Sequence, residues 1–185
     1  AVADESYYVL VFASQTHPKL LSKAHTWATF VRVDSSDSHS LHVHTISWLP
    51  RTLKVRTFAL RPEPGGNLEL HQTLGVVLSE GQAVSMWGPY RIAPDVYARS
   101  LEVKGTLESG LTQYRALSPA NDLRLANCNQ AVLFVGPEFG RRPRPLWRTG
   151  TSAGRYVSRH VEAHSPAPAT DDPWLVPTLG LDRYP

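Results

Sequence analysis

From His25 to Val33 the chain alternates between side chains suited to two different surfaces, and this run limits the fold more than any other feature. His25, Trp27, Thr29, Val31 and Val33 fall on one side of an extended strand, and Thr26, Ala28, Phe30 and Arg32 on the other, because successive strand side chains point in opposite directions. Residues 7–13 are a strongly β-prone run and read as a preceding strand, separated from it by polar and proline breakers over 15–23. Residues 41–49 read as a third strand, joined to the second through a polar turn over 34–38, so that the two form an antiparallel hairpin. Residues 54–60 read as a fourth strand that stops at Pro62, Glu63, Pro64, Gly65 and Gly66, and residues 83–87 as another short one.

Helical spacing appears between and after these strands. Leu70, Leu74, Val77 and Leu78 recur as one helix face, with Asn67 as its cap and Gly81 at its end. Pro94 and Asp95 open a second helix with Val96, Tyr97, Leu101, Val103 and Leu107 as its apolar positions. Asn127 caps a third, which begins near Cys128 and runs into the apolar residues 131–135, and residues 152–163 suggest a fourth. The expected fold class is α+β, an antiparallel sheet packed against a few helices. Residues 1–164 form a single domain in this reading. Residues 165–185 form an extended tail, because Pro166, Pro168, Pro173, Pro177 and Pro185 remove backbone donors, with Trp174, Leu175 and Val176 able to pin it to the body.

Composition narrows the function classes. Apolar residues make up 42% of the 185 and charged ones 19%, a globular balance rather than a disordered one. No stretch approaches the roughly 20 apolar residues of a membrane-spanning helix, so no transmembrane segment is expected. The net charge of +3 is mild, and its densest stretch, Arg141, Arg142, Arg144 and Arg148, lacks the interleaved aromatics of a single-strand binder. Nucleic acid is not an expected partner. A single cysteine excludes an internal disulfide and a multi-cysteine zinc site. The small residues Ala1, Val2 and Ala3 resemble those around a signal-peptidase cut, which suggests an exported, periplasmic or extracellular protein.

Cys128 is the first candidate for chemistry, because unpaired N–H groups at a helix start favour a thiolate and can hold an oxyanion. Such a thiol needs a histidine to take its proton and a third polar group to orient that ring. His25 and His44 are the candidates for base and orienting residue, on neighbouring strands. The structural reading is a buried small apolar cysteine and hydrogen-bonded histidines. Trp27, Trp48, Trp87 and Trp147 read as core or groove residues. A separate possibility is a three-histidine metal site made by His42 and His44 with His25 or His39.

Histidine opening a strand, a second histidine one strand later, then Asn127, Cys128, Asn129 and Gln130 at a helix start: this order resembles the circularly permuted NlpC-type papain-like group, which includes the lecithin retinol acyltransferase-like proteins. The resemblance spans about 7–135 and matches the first half of an Asn-Cys-x-His type motif, with Gln130 where the group often carries histidine. It implies a permuted papain-like fold, with Cys128 as nucleophile, His25 as base and His44 as orienting residue. It also implies a thiol hydrolase or acyltransferase acting on amide or ester bonds, with no cofactor. A peptide or acyl group is the substrate class, cell-wall peptide if the chain is exported. The alternative is a noncatalytic binding or interaction module on the same scaffold, using aromatic residues and the tail as contact surface.

Overall fold

The computed structural model describes residues 5–34, 40–118, 122–140, 148–166 and 172–184. In chain order the elements are β1 (Glu5–Gln15), β2 (Ala24–Asp34), β3 (Ser40–Ile46), β4 (Trp48–Pro50), β5 (Glu63–Asn67), α1 (Leu70–Ser79), β6 (Ala83–Arg91), α2 (Pro94–Glu108), β7 (Gln113–Tyr114), β8 (Leu125–Ala126), α3 (Cys128–Leu133), α4 (Thr151–His164) and α5 (Leu175–Thr178). The chain is α+β. Its main sheet is antiparallel in the order β3-β2-β1-β6, and a smaller sheet runs β4-β5-β7-β8.

The alternation of β2 divides the core in two. Ala28 and Phe30 face a cluster with Val9, Val11, Val103, Ala131, Val132 and Val157, under α2, α3 and α4. Trp27, Val31 and Val33 face the other side with Tyr8, Leu10, Phe12, Leu70, Leu74 and Val77, under α1. Because both faces are covered, β1 is buried from Tyr8 through Ser14, and the sheet centre reads as continuously apolar rather than alternating.

Three expectations are corrected. The fourth strand is not at 54–60, which runs as turns and coil; the strand is β5, built from residues whose prolines and glycines signal a turn. Gly65 pairs with Pro50 in register, and a Cβ there would lie 2.0 Å from Cζ2 of Trp48. Glycine therefore makes room for the indole, a packing reason that local turn chemistry does not reveal. The cap of α1 is Glu69, in a reciprocal box with Gln72. Asn67 instead ties strand ends together, accepting from Ser47 N at 2.8 Å and donating to Thr45 O at 2.8 Å.

The third correction concerns the tail. Its described part forms α5 and a short 3-10 turn at Leu181–Arg183. Leu175, Leu179 and Leu181 are buried in the α1-side cluster, so these residues complete a core rather than run over its surface. Pro177 sits inside α5, where a four-residue helix has little internal ladder to lose. Arg141, Arg142, Arg144, Trp147, His39, Pro168 and Pro185, and most of the expected turns over 34–38 and 118–122, lie outside the described residues.

Candidate functional site

Asn127 is in an extended conformation and its Oδ1 accepts from Gln130 N at 2.9 Å, while Gln130 Oε1 accepts from Asn127 N at 3.0 Å. This capping box starts α3 at Cys128 and gives Gln130 a structural task. Asn127 Nδ2 also donates to Ala116 O at 3.0 Å, fixing the helix start against the segment after β7. Asn127→Ala should lower stability by about 1–2 kcal/mol, read as a shift of the urea midpoint with unchanged slope.

β3 pairs with β2 only as far as Ile46 opposite Ala28, leaving the outer edge of residues 24–27 without a strand. Cys128, at the start of α3, packs beside that edge, and its thiol donates to Asn129 Oδ1 at 3.9 Å. The backbone N–H groups of Thr26, Asn129 and Cys128 itself lie near enough to the sulfur to act on its charge. Burial pushes the thiol pKa up, and those N–H groups oppose the shift without cancelling it. Cys128 lines a small, partly enclosed pocket of about 70 Å³, with Val55, Thr57, Tyr114, Asn127 and Arg148 among its other walls. Tyr114 is itself buried, and desolvation raises its phenol first, with the neighbouring cysteine adding to the rise.

His25 precedes Thr26, yet its ring turns to the α1 face, where it stacks on Trp27 with centroids 5.3 Å apart. Its Nε2 lies 2.9 Å from Ser47 Oγ, which is 2.8 Å from Thr73 Oγ1 of α1. Thr73 Oγ1 is also 3.0 Å from Glu69 O. The ring is 3% exposed, and its Nδ1 has no hydrogen-bond partner among the described residues. Burial lowers its pKa to about 3, so the imidazole is neutral near pH 7.

His44 is elsewhere. It stands opposite Phe30 in the β2–β3 register, and cross-strand partners share a face, so it lies on the side of the sheet away from His25. There it stacks on Phe30, meets Tyr97 edge-on with centroids 5.0 Å apart, and places Nε2 2.8 Å from Ser100 Oγ of α2. Desolvation lowers its pKa to about 4, with Lys104 acting in the same direction.

The expected triad of Cys128, His25 and His44 is therefore corrected. His44 does not orient His25; Ser47 does. Cys128 and His25 meet the same stretch of β2, but no hydrogen bond joins them, and the pocket walls include no histidine. The three-histidine metal site with His25 as third ligand is also corrected, since no group of three or more potential ligands comes together among the described residues, and the version with His39 lies outside them. His42 is exposed while His44 is buried under α2.

Ser47, Thr73 and Tyr114 were not identifiable as site residues. A serine at a strand break and a threonine inside a helix give no chemical signal until the fold brings them to His25. The chain matches no family model, no curated protein and no solved structure.

Proposed function

We propose that the chain is a thiol hydrolase or acyltransferase in which Cys128 is the nucleophile, His25 the base and Ser47 the group that orients the imidazole. One observation carries the reading. The sulfur of Cys128 lies near enough to the N–H of Thr26, the residue next to His25, for that group to act on its charge, and it lines a small, partly enclosed pocket, while Nδ1 of His25 is buried without a partner among the described residues.

With a proton on Nε2 directed at Ser47, Nδ1 of His25 carries the free lone pair. Burial keeps thiol and imidazole uncharged at rest. A carbonyl entering the pocket changes this: as the sulfur bonds to the carbonyl carbon, its proton passes to Nδ1, and His25 returns that proton to the departing amine or alcohol. The product is a thioester on Cys128. Water or a second nucleophile opens it, giving hydrolysis or transfer. This requires His25 to move toward the sulfur on substrate binding, since catalytic hydrogen bonds tighten in the substrate complex.

An activated acetyl ester tests the reading directly. One acetyl group per chain should be trapped on Cys128, visible as a mass increment that Cys128→Ala abolishes. His25→Gln should slow acylation by about 100-fold or more and Ser47→Ala by about tenfold, whereas His44→Phe leaves the rate unchanged. Acylation that is indifferent to His25 would reject the mechanism.

The absence of a histidine from the pocket walls favours a second reading, a noncatalytic module that binds an apolar group at the same place. Saturable protection of Cys128 from alkylation by an acyl or peptide ligand, with no covalent adduct from the ester, is the outcome that selects it.

A further inference from the structure

Two loops at the mouth of the Cys128 pocket share an uncommon surface. Leu21 of the first, residues 16–23, Ala24 where β2 begins, and Val55 and Thr57 of the second, residues 51–62, are pocket walls. Lys19 Nζ donates to Thr149 O at 2.7 Å, which holds the first loop beside the wall formed by Arg148 and Thr149. In the second loop, Ala59 N donates to Arg56 O at 3.1 Å, closing a turn with Phe58 at its tip.

Apolar side chains here are displayed rather than buried. Phe58 is 79% exposed, Leu60 82%, Leu20 50% and Leu21 45%. Leu53 joins them in a left-handed backbone conformation, φ 59°, that such residues rarely adopt. The same loops carry Lys19, Lys23, Arg51, Lys54, Arg56 and Arg61 and no aspartate or glutamate, a surplus larger than the whole chain's +3. None of these six cations forms an ion pair among the described residues.

A single exposed leucine is ordinary. Several of them interleaved with unpaired cations on two adjacent loops have complementary requirements: the apolar groups gain by leaving water, and the cations gain from a negative surface that keeps them hydrated. The headgroup region of a bilayer containing anionic lipid meets both at once. A nucleic-acid backbone would use the cations but leave the leucines in water, and the two loops hold one ring each, His17 and Phe58, for a base to stack on.

We propose that this face docks peripherally on an anionic lipid surface, with the mouth of the Cys128 pocket turned toward the headgroups. The attachment is superficial, consistent with the described helices, none of which is long and apolar enough to cross a membrane. It does not depend on the thiol chemistry, so Cys128→Ala leaves it intact.

Co-sedimentation with vesicles decides the matter. The chain should pellet with vesicles containing phosphatidylglycerol and remain in solution with phosphatidylcholine alone. Phe58→Ser with Leu60→Ser should weaken binding by at least about tenfold with no change in melting temperature. Lys54→Glu with Arg56→Glu should have a comparable effect, and added salt should weaken binding by wild type. Equal binding to both vesicle types, binding to neither, or wild-type binding by the double-serine variant overturns the proposal. So does tight binding of an oligonucleotide that the serine substitutions leave unaltered while the vesicles go unbound.

Discussion

Lowering the pH from 8 to 4 should remove about 6 kcal/mol of stability through two imidazoles alone. His25 and His44 have pKa values lowered to about 3 and about 4 in the fold, chiefly by burial, against about 6.5 when exposed. Below pH 6.5 the unfolded chain therefore takes up two protons that the folded chain refuses. The sign follows: stability is fully present above about pH 6.5, falls by up to about 1.4 kcal/mol per pH unit for each ring, and levels off only below the folded values. Against a typical total of about 5–15 kcal/mol, the loss brings the protein near its unfolding transition at pH 4. Urea unfolding at pH 8, 6 and 4.5 measures it. His44→Phe should roughly halve the pH dependence, since Phe30 and Tyr97 already provide an aromatic site and Ser100 keeps its bond to Tyr97 O at 2.7 Å. Identical urea midpoints at the three pH values would mean that the rings are not held neutral.

Gly65→Ala should cost about 3 kcal/mol or more and should act through one neighbour. The added methyl would sit inside the indole of Trp48, whose side chain is 1% exposed, so either the indole leaves the core or β4 and β5 separate. Trp48→Ala alone should cost about 3–5 kcal/mol as a cavity. The double variant, with no indole to clash, should cost little more than Trp48→Ala. That strong non-additivity identifies the contact. Additive losses would place the cost of Gly65→Ala in the backbone instead.

How much of this was legible in the sequence depends on whether a residue's role is local. The two-sided pattern of β2, the proline start of α2 and the Asn127 cap of α3 each depend on neighbours within a few positions, and each appears where the pattern puts it. β5 was not legible, because its Gly65 serves a tryptophan 17 residues earlier. Within α2, Leu101 is exposed and Ser100 takes the buried place, because the serine meets His44 from another strand.

The candidate site was legible only in part. Cys128 at the start of a helix follows from the two asparagines around it. The pairing of His25 with His44 does not follow, because a shared hairpin fixes neither register nor face. Once His44 is opposite Phe30, the alternation of β2 itself puts His25 on the other side. Ser47 reaches His25 because β3 ends at Ile46. A strand ending is decided by pairing over a distance, so the residue it frees carries no advance mark.

The burial of Leu175, Leu179 and Leu181 against α1 and the main sheet has a consequence for the order of assembly in the cell. A ribosome delivers these leucines after every other described element. Until then, one face of an otherwise paired sheet presents Trp27, Val31 and Leu74 with their last covering layer missing. The nascent chain thus passes through a stage in which one half-core is closed and the other waits on Leu175, Leu179 and Leu181. At that stage it is a natural client for a chaperone that shields apolar surface.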